Sequence, residues 1–427
     1  MSKTIALLTL LLASLACSLP FSTPTNEPAG PTLDVATLVA ESLTAAAIGT
    51  VPAAPPLPET ATPEPAPTNL NIAYARSGSI ILWRAGVAPQ TLTASSKDDS
   101  PRISDDGQVV AYLRDGELYS VLADGTGERP LVNRAYLNGF RSGDILEVHI
   151  RHFDFTPDSH EIFFELYGET EGYPAPLADL QRVDADSGAL TVILAPGSGG
   201  GQWTFSPDGQ YFSLAQGEKI RILRRDGSDD RTVFNFKFVS TYSEWTYFPQ
   251  VVWRNDSAGL YTVIPASAVL DDPTEPTRYY YIPLAGEAAR LAEFVAGPVW
   301  QSFPFISPDG IKVAYVRESG GIQSLHVIDA STADRVYTSA PALTILNWNP
   351  DSARVAYYAE APSNPILLEF GGAPVPLSDT ARFSGLAWVS ESRYLFLNGE
   401  ELRLRDLSSP SVLIDSGVSG YDFVLLP

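Results

Sequence analysis

The sequence predicts an all-β fold, an eight-bladed β-propeller of four-stranded antiparallel blades, and three observations carry that prediction. A tight-turn tetrapeptide recurs: Ser104-Asp105-Asp106-Gly107, Thr156-Pro157-Asp158-Ser159, Ser206-Pro207-Asp208-Gly209, Arg254-Asn255-Asp256-Ser257, Ser307-Pro308-Asp309-Gly310 and Asn349-Pro350-Asp351-Ser352, with a worn copy at Ser390-Glu391-Ser392. Each copy follows a large apolar residue (Ile103, Phe155, Phe205, Trp253, Ile306, Trp348, and Trp388 for the worn copy) and precedes a strand-like run such as 109–113, 312–316, 354–358 or 394–397. Glycine (32) and proline (35) are dense, which argues against a mainly helical chain.

Ser-Pro-Asp-Gly suits a type I turn: Ser opens it, Pro presets the second position and Gly closes it. Flanked by alternating apolar residues, such a turn makes a β-hairpin. Copies recur about every 40 to 53 residues, which leaves room for two more strands per unit. Four-stranded units bury their faces against one another, so a ring of them needs no other core. Residues 70–427 are therefore expected to form one domain.

The elements follow in order. Residues 71–75, 80–83 and 90–93 are three strands ahead of the first turn. After Glu391 come 393–397, 402–407 and 411–414, and then a final run, 421–426. That run is read as the innermost strand of the first blade, so that the C-terminus closes the ring and leaves no unpaired seam. Seven blades is the alternative, with one unit as decoration.

Ahead of the ring, Lys3 and the apolar run 5–16 make a short secretion signal, too short to span a bilayer permanently. The run ends Leu12-Ala13-Ser14-Leu15-Ala16-Cys17 and places the only cysteine of the chain at its end. It resembles the lipobox of bacterial lipoproteins, which implies lipid attachment at Cys17 and anchoring to the outer face of a bacterial membrane. The alternative is an ordinary signal cleaved after Ala16. Residues 18–69 hold eleven prolines, five acids and no Lys or Arg, the composition of an extended linker. Within it, apolar spacing over 33–48 predicts a short amphipathic helix.

The repeated turn and the aromatic before it resemble the W-S-P-D-G turn between the first two strands of each blade in TolB-type, WD-repeat-like β-propellers. The resemblance covers residues 70–427. It implies a propeller that binds partner proteins of the cell envelope, with that family's extra N-terminal domain replaced by the 18–69 linker.

Composition narrows the function. A net charge of −22 disfavours binding to nucleic-acid backbones, which need clustered Lys and Arg. One cysteine excludes an intrachain disulfide framework and Cys-rich zinc sites. No G-x-S-x-G elbow and no phosphate-cradling Gly-Lys loop occurs; Gly197-Ser198-Gly199-Gly200-Gly201 reads as a loop between blades. His149, His152 and His160 cluster in sequence, and on a strand His152 and Asp154 share a face while His149 points away. A channel-lining or exposed strand is the reading there; no metal, cofactor or catalytic residue is assigned, and the chain is expected to be a monomer.

Loop length singles out a face instead. The long insertions 133–147, 167–178, 238–249 and 265–277 all fall at the second-to-third-strand or blade-to-blade position, which emerge together in an up-and-down blade. Long loops on a rigid scaffold commonly bind. The candidate binding residues are Tyr136, Phe140, Arg141, Tyr167, Tyr173, Tyr242, Trp245, Tyr247, Asp271 and Asp272. The alternative is that these aromatics only pack their own loops. The expected function is a non-catalytic module taking a protein, peptide or glycan; the alternative is an extracellular carbohydrate-active hydrolase or lyase using funnel carboxylates.

Overall fold

Eight antiparallel sheets follow one another around a ring, and the first is completed by the last strand of the chain. From the axis outward, blade 1 runs Val418–Leu425, Leu70–Arg76, Ser79–Arg84, Val87–Thr91. The other blades are consecutive meanders whose inner strands are Asp98–Ile103, Glu147–Phe155, Gln202–Phe205, Val251–Trp253, Phe305–Ile306, Leu343–Trp348 and Phe383–Trp388 for blades 2 to 8. This computed structural model describes residues 66–329, 334–359, 365–369, 374–378 and 382–427. Cys17, the helix expected over 33–48 and the linker up to residue 65 lie outside the described residues.

The closing strand is tied on three sides. It pairs with Leu70–Arg76 from Leu70↔Leu425 to Arg76↔Val418. Asp422 Oδ2 accepts the Ile103 N–H of blade 2 at 2.9 Å, and the Tyr421 hydroxyl donates to the Gly385 carbonyl of blade 8. Apolar side chains fill the wedges between blades: Ala73, Ile80 and Leu82 meet Ile103, Val110 and Tyr112 between blades 1 and 2. Val316 and Leu325 likewise meet Leu343, Trp348 and Val355 between blades 6 and 7.

The repeated turns close as their residues require. The N–H groups of Gly107, Gly209 and Gly310 each donate to the carbonyl three residues back at 2.8 Å. In each, the Asp carboxylate stitches the turn; Asp208 Oδ1 accepts from the Ser206 hydroxyl at 2.6 Å and from the Gln210 N–H at 3.1 Å. Neighbouring turns also bond: the Asp208 N–H donates to Ser257 Oγ at 3.1 Å and the Asp309 N–H to Ser352 Oγ at 3.0 Å. Much of the acidity of the ring thus serves turn geometry. The worn copy begins one residue earlier than its sequence suggests: the Val389 N–H bonds the Arg393 carbonyl, four residues on, where the Ser104 N–H bonds Val109, five residues on. Trp388 therefore stands directly before its turn, as Trp348 does.

Gly310 is the tightest of these corners. Its φ is +68°, and a Cβ there would lie 2.2 Å from the Tyr261 ring of the preceding blade. Gly310→Ala is expected to cost about 2–4 kcal/mol, the left-handed backbone and the overpacking adding together. Urea denaturation of the variant against Gly209→Ala, whose nearest neighbour would be at 3.6 Å, separates the two contributions.

The long loops fall on one face, at the starts of the inner strands and the ends of the second strands. Two have structure of their own. Residues Pro174–Pro176 extend the hairpin of strand Glu161–Glu169 (Pro174↔Glu169), and the insertion before blade 3 holds a five-residue helix, α1 (Arg134–Asn138), capped by Asn133 Oδ1 on the Tyr136 N–H.

Candidate functional site

Over blades 4 to 6 the loops are stitched into one ridge. The Ser240 N–H donates to the Ser267 carbonyl at 2.7 Å. Tyr242 Oη donates to Asp271 Oδ2 and accepts from the Leu270 N–H, both at 3.2 Å. Tyr242 meets Trp300 edge-on with centroids 5.5 Å apart, and Trp245 meets Phe303 at 6.0 Å. Tyr247 lies under Phe303, stacked at 5.9 Å, and is itself 2% exposed. Four aromatic side chains remain open on the ridge: Tyr242 (44%), Trp245 (37%), Trp300 (40%) and Phe303 (43%).

The expected residues divide accordingly. Tyr242, Trp245 and Asp271 come together at the surface, whereas Tyr247 belongs to a small core with Val239, Ile264 and Val299. Asp272 is spent on its own turn: it accepts from the Thr274 hydroxyl at 2.6 Å, which holds its carboxyl below the usual range. Over blades 2 and 3, Tyr136 and Phe140 pack on each other (5.3 Å) and on the core beneath α1, with Tyr136 Oη reaching Gln181 Oε1 at 2.5 Å. There the aromatics do pack their own loop. Tyr167 stacks on His149 at 5.4 Å, and Tyr173 and Arg141 are exposed.

Trp300 and Phe303 were not among the expected residues. Both lie in 295–304, the blade-to-blade connection from blade 5 to blade 6. The turn spacing across it, from 254 to 307, is the widest of the series, but the insertion 265–277 was read as the source of that length, so length alone passed over this connection. Topology is the signal that finds it: every blade-to-blade connection emerges on this face.

Near the funnel on the same face, Arg151, His152, Glu165, Gly201, Gln202, Trp203, Thr204 and Phe248 line a cavity of about 350 Å³ between blades 3 and 4. The glycine-rich loop 197–201 leaves it open. A Cβ on Gly201 would lie 2.1 Å from the Ala215 carbonyl oxygen, so the loop runs too close to blade 4 for a larger residue. His152 and Trp203 rings lie 5.2 Å apart. Glu165, paired with His152 across the strands, is 6% exposed. Burial pushes its carboxyl up to about 7, with Arg151 opposing the rise and Asp179 adding to it. Burial, aided by Arg102 and Arg151, pushes the His152 imidazole down.

A raised carboxyl pKa means that folding favours the neutral form. The contribution of Glu165 is complete below its unfolded pKa, about 4.3, and is lost as pH rises through about 7. Glu165→Gln, neutral at every pH, is therefore expected to melt with the parent at pH 4 and above it at pH 8. Thermal melts at the two pH values check this.

Farther along the funnel wall, Asp154 lies 3.9 Å from Arg102, and burial pushes its carboxyl up to about 6 although about half of that side chain is exposed. His149 sits beside two carboxylates, with Nε2 3.3 Å from Glu147 and 3.5 Å from Glu169. One ligand-type atom from each of Glu147, His149 and Glu169 lies within 4.8 Å of the others, so these are the residues placed to hold a metal ion. Both carboxylates are about 60% exposed, and exposed acidic groups commonly stand together without an ion.

No family model matches the chain, and no curated protein matches it. Among solved structures it is similar to a eukaryotic initiation factor, at 12% identity over 84% of this chain and 98% of that one, with a TM-score of 0.53. It is similar to dihydro-heme d1 dehydrogenase NirN in complex with DHE, at 15% identity over 86% of this chain and 77% of that one, with a TM-score of 0.52. TolB from Acinetobacter baumannii is similar at 15% identity over 64% of each chain, with a TM-score of 0.32. The first two likenesses show the propeller fold, and at such identities none assigns a family.

Proposed function

We propose that this propeller is a non-catalytic binding module that takes an extracytoplasmic protein, peptide or glycan on its long-loop face. One observation carries the reading: four aromatic side chains, Tyr242, Trp245, Trp300 and Phe303, stand exposed side by side on loops that hold one another by hydrogen bonds and ring contacts. Clustered exposed apolar surface marks interaction sites, and aromatic anchors dominate binding energy. A rigid ring beneath them lowers the ordering cost of binding. Cys17, lipidated, holds the module at the outer face of a bacterial membrane, and C17A is expected to release the protein from the membrane fraction.

The test is capture from envelope extract on the immobilised chain, identification of what is retained, and titration of that ligand. Trp245→Ala/Trp300→Ala is expected to weaken binding at least tenfold while the melting temperature stays within a few degrees. A hydrolase or lyase is the second reading, favoured by the raised carboxyls of Glu165 and Asp154 beside the funnel. Turnover of a polysaccharide, abolished by Glu165→Gln, would replace the first reading with the second.

A further inference from the structure

We propose that the cavity between blades 3 and 4 is a subsite for one ring of a neutral sugar, recognised by Glu165 and Trp203. The inference rests on the reading of this face as the binding face and commits its ligand to a glycan.

Two unmet hydrogen-bonding atoms lie on groups that line the same cavity. Glu165 Oε1 and Trp203 Nε1 are both buried and have no partner among the described residues. Buried polar atoms are nearly always paired, and an orphan in a native fold calls for a ligand or an ordered water. Of the other inner-strand tryptophans, Trp253 donates to the Thr204 carbonyl and Trp348 to the Phe305 carbonyl, both at 2.9 Å. Trp388 Nε1 is also without a partner among the described residues but has no carboxylate orphan beside it in a shared cavity.

The two orphans differ in kind, and that restricts what answers both. Trp203 only donates, so the ligand must accept. Glu165 accepts when ionised and donates from one oxygen when protonated, so its partner must do either. An ammonium or guanidinium group has no acceptor for the indole. An anion would find Arg151 in the same lining but meets Glu165, whose buried oxygen it cannot satisfy by donating. A hydroxyl donates and accepts and carries no charge. The walls complete the match, because Trp203, His152 and Phe248 line the cavity and supply aromatic surface, on which the C–H face of a sugar ring packs. A volume of about 350 Å³ lies at the small end of ligand sites and suits one ring rather than a folded peptide. Phe248 belongs to the loop that carries Tyr242 and Trp245, so a longer glycan seated here leads toward the aromatic ridge.

The experiment uses the full chain on an array of neutral, acidic and amino-sugar glycans, followed by titration of the best neutral tetrasaccharide by tryptophan fluorescence and calorimetry. Saturable binding to a neutral glycan is expected. Trp203→Phe, which keeps the ring and removes the N–H, and Glu165→Met, which keeps the shape and removes the oxygens, are each expected to lower affinity at least tenfold. Melting temperatures run alongside confirm that both variants fold. Binding unchanged in both folded variants overturns the proposal, as does recognition of charged glycans alone or of none. If no neutral glycan binds while Trp245→Ala/Trp300→Ala still abolishes capture of a protein, the sugar subsite falls and the binding face stands; if neither occurs, both fall.

Discussion

Removal of residues 418–427 is expected to leave a chain without a cooperative thermal transition. Among the described residues the C-terminal strand alone pairs with Leu70–Arg76 on the side of the axis, and in Leu70–Arg76 the residues Leu70, Ile72, Tyr74 and Ala75 are fully buried. Deleting it exposes a sheet edge and opens the contacts to blades 2 and 8 made through Asp422 and Tyr421. The Leu426 N–H bond to the Asn69 carbonyl, 3.0 Å, is lost as well. A typical domain is stable by about 5–15 kcal/mol, and losing a whole ladder plus its buried surface is on that scale. Circular dichroism and limited proteolysis give the readout. A synthetic 418–427 peptide added in trans is expected to restore protection. Tyr421→Phe and Asp422→Asn, which delete single ties, are expected to cost only about 1 kcal/mol each.

Trp348→Ala is expected to destabilise the ring by about 3–5 kcal/mol, the range for emptying a large buried aromatic site. The side chain is 2% exposed in the wedge between blades 6 and 7, where it touches Val316, Leu325 and Val355. Its N–H fastens blade 7 to the inner strand of blade 6 at the Phe305 carbonyl. The alanine variant therefore loses packing together with the hydrogen bond that ties the two blades. Trp348→Phe keeps most of the volume and should cost less than half as much. Trp388 occupies the corresponding place in blade 8, is only half-buried, and has no partner for its Nε1 among the described residues. Trp388→Ala should be the milder change, and urea denaturation of the three variants ranks them.

The ring was legible because its signal is repeated and local. Ser-Pro-Asp-Gly specifies a turn by itself, and an aromatic placed before it specifies the inner strand. Even closure could be read, because the final run had no hairpin partner of its own. The error at Ser390 arose where the turn lost a residue and its Pro and Gly together, leaving only composition to align. The site was less legible, for a physical reason. Loop length locates a face, but whether a loop aromatic turns inward depends on what lies below it. Tyr247 and Tyr242 sit five residues apart in one loop; the first drops onto Val239 and Ile264, and the second stays in solvent beside Trp300. The cavity was hidden more deeply still. Glu165 and Trp203 are 38 residues apart on adjacent blades, and the glycines that open the space between them read only as a loop.

The most direct test of the binding face compares two surfaces of one protein. The retained ligand is titrated against the parent chain, against Trp245→Ala/Trp300→Ala on the long-loop face, and against Asp186→Ser on the opposite, turn-bearing face. The expected result is at least a tenfold loss for the first variant, about 1.4 kcal/mol or more, and none for the second. Parental affinity in the tryptophan variant, or a loss confined to Asp186→Ser, would contradict the assignment of the binding face.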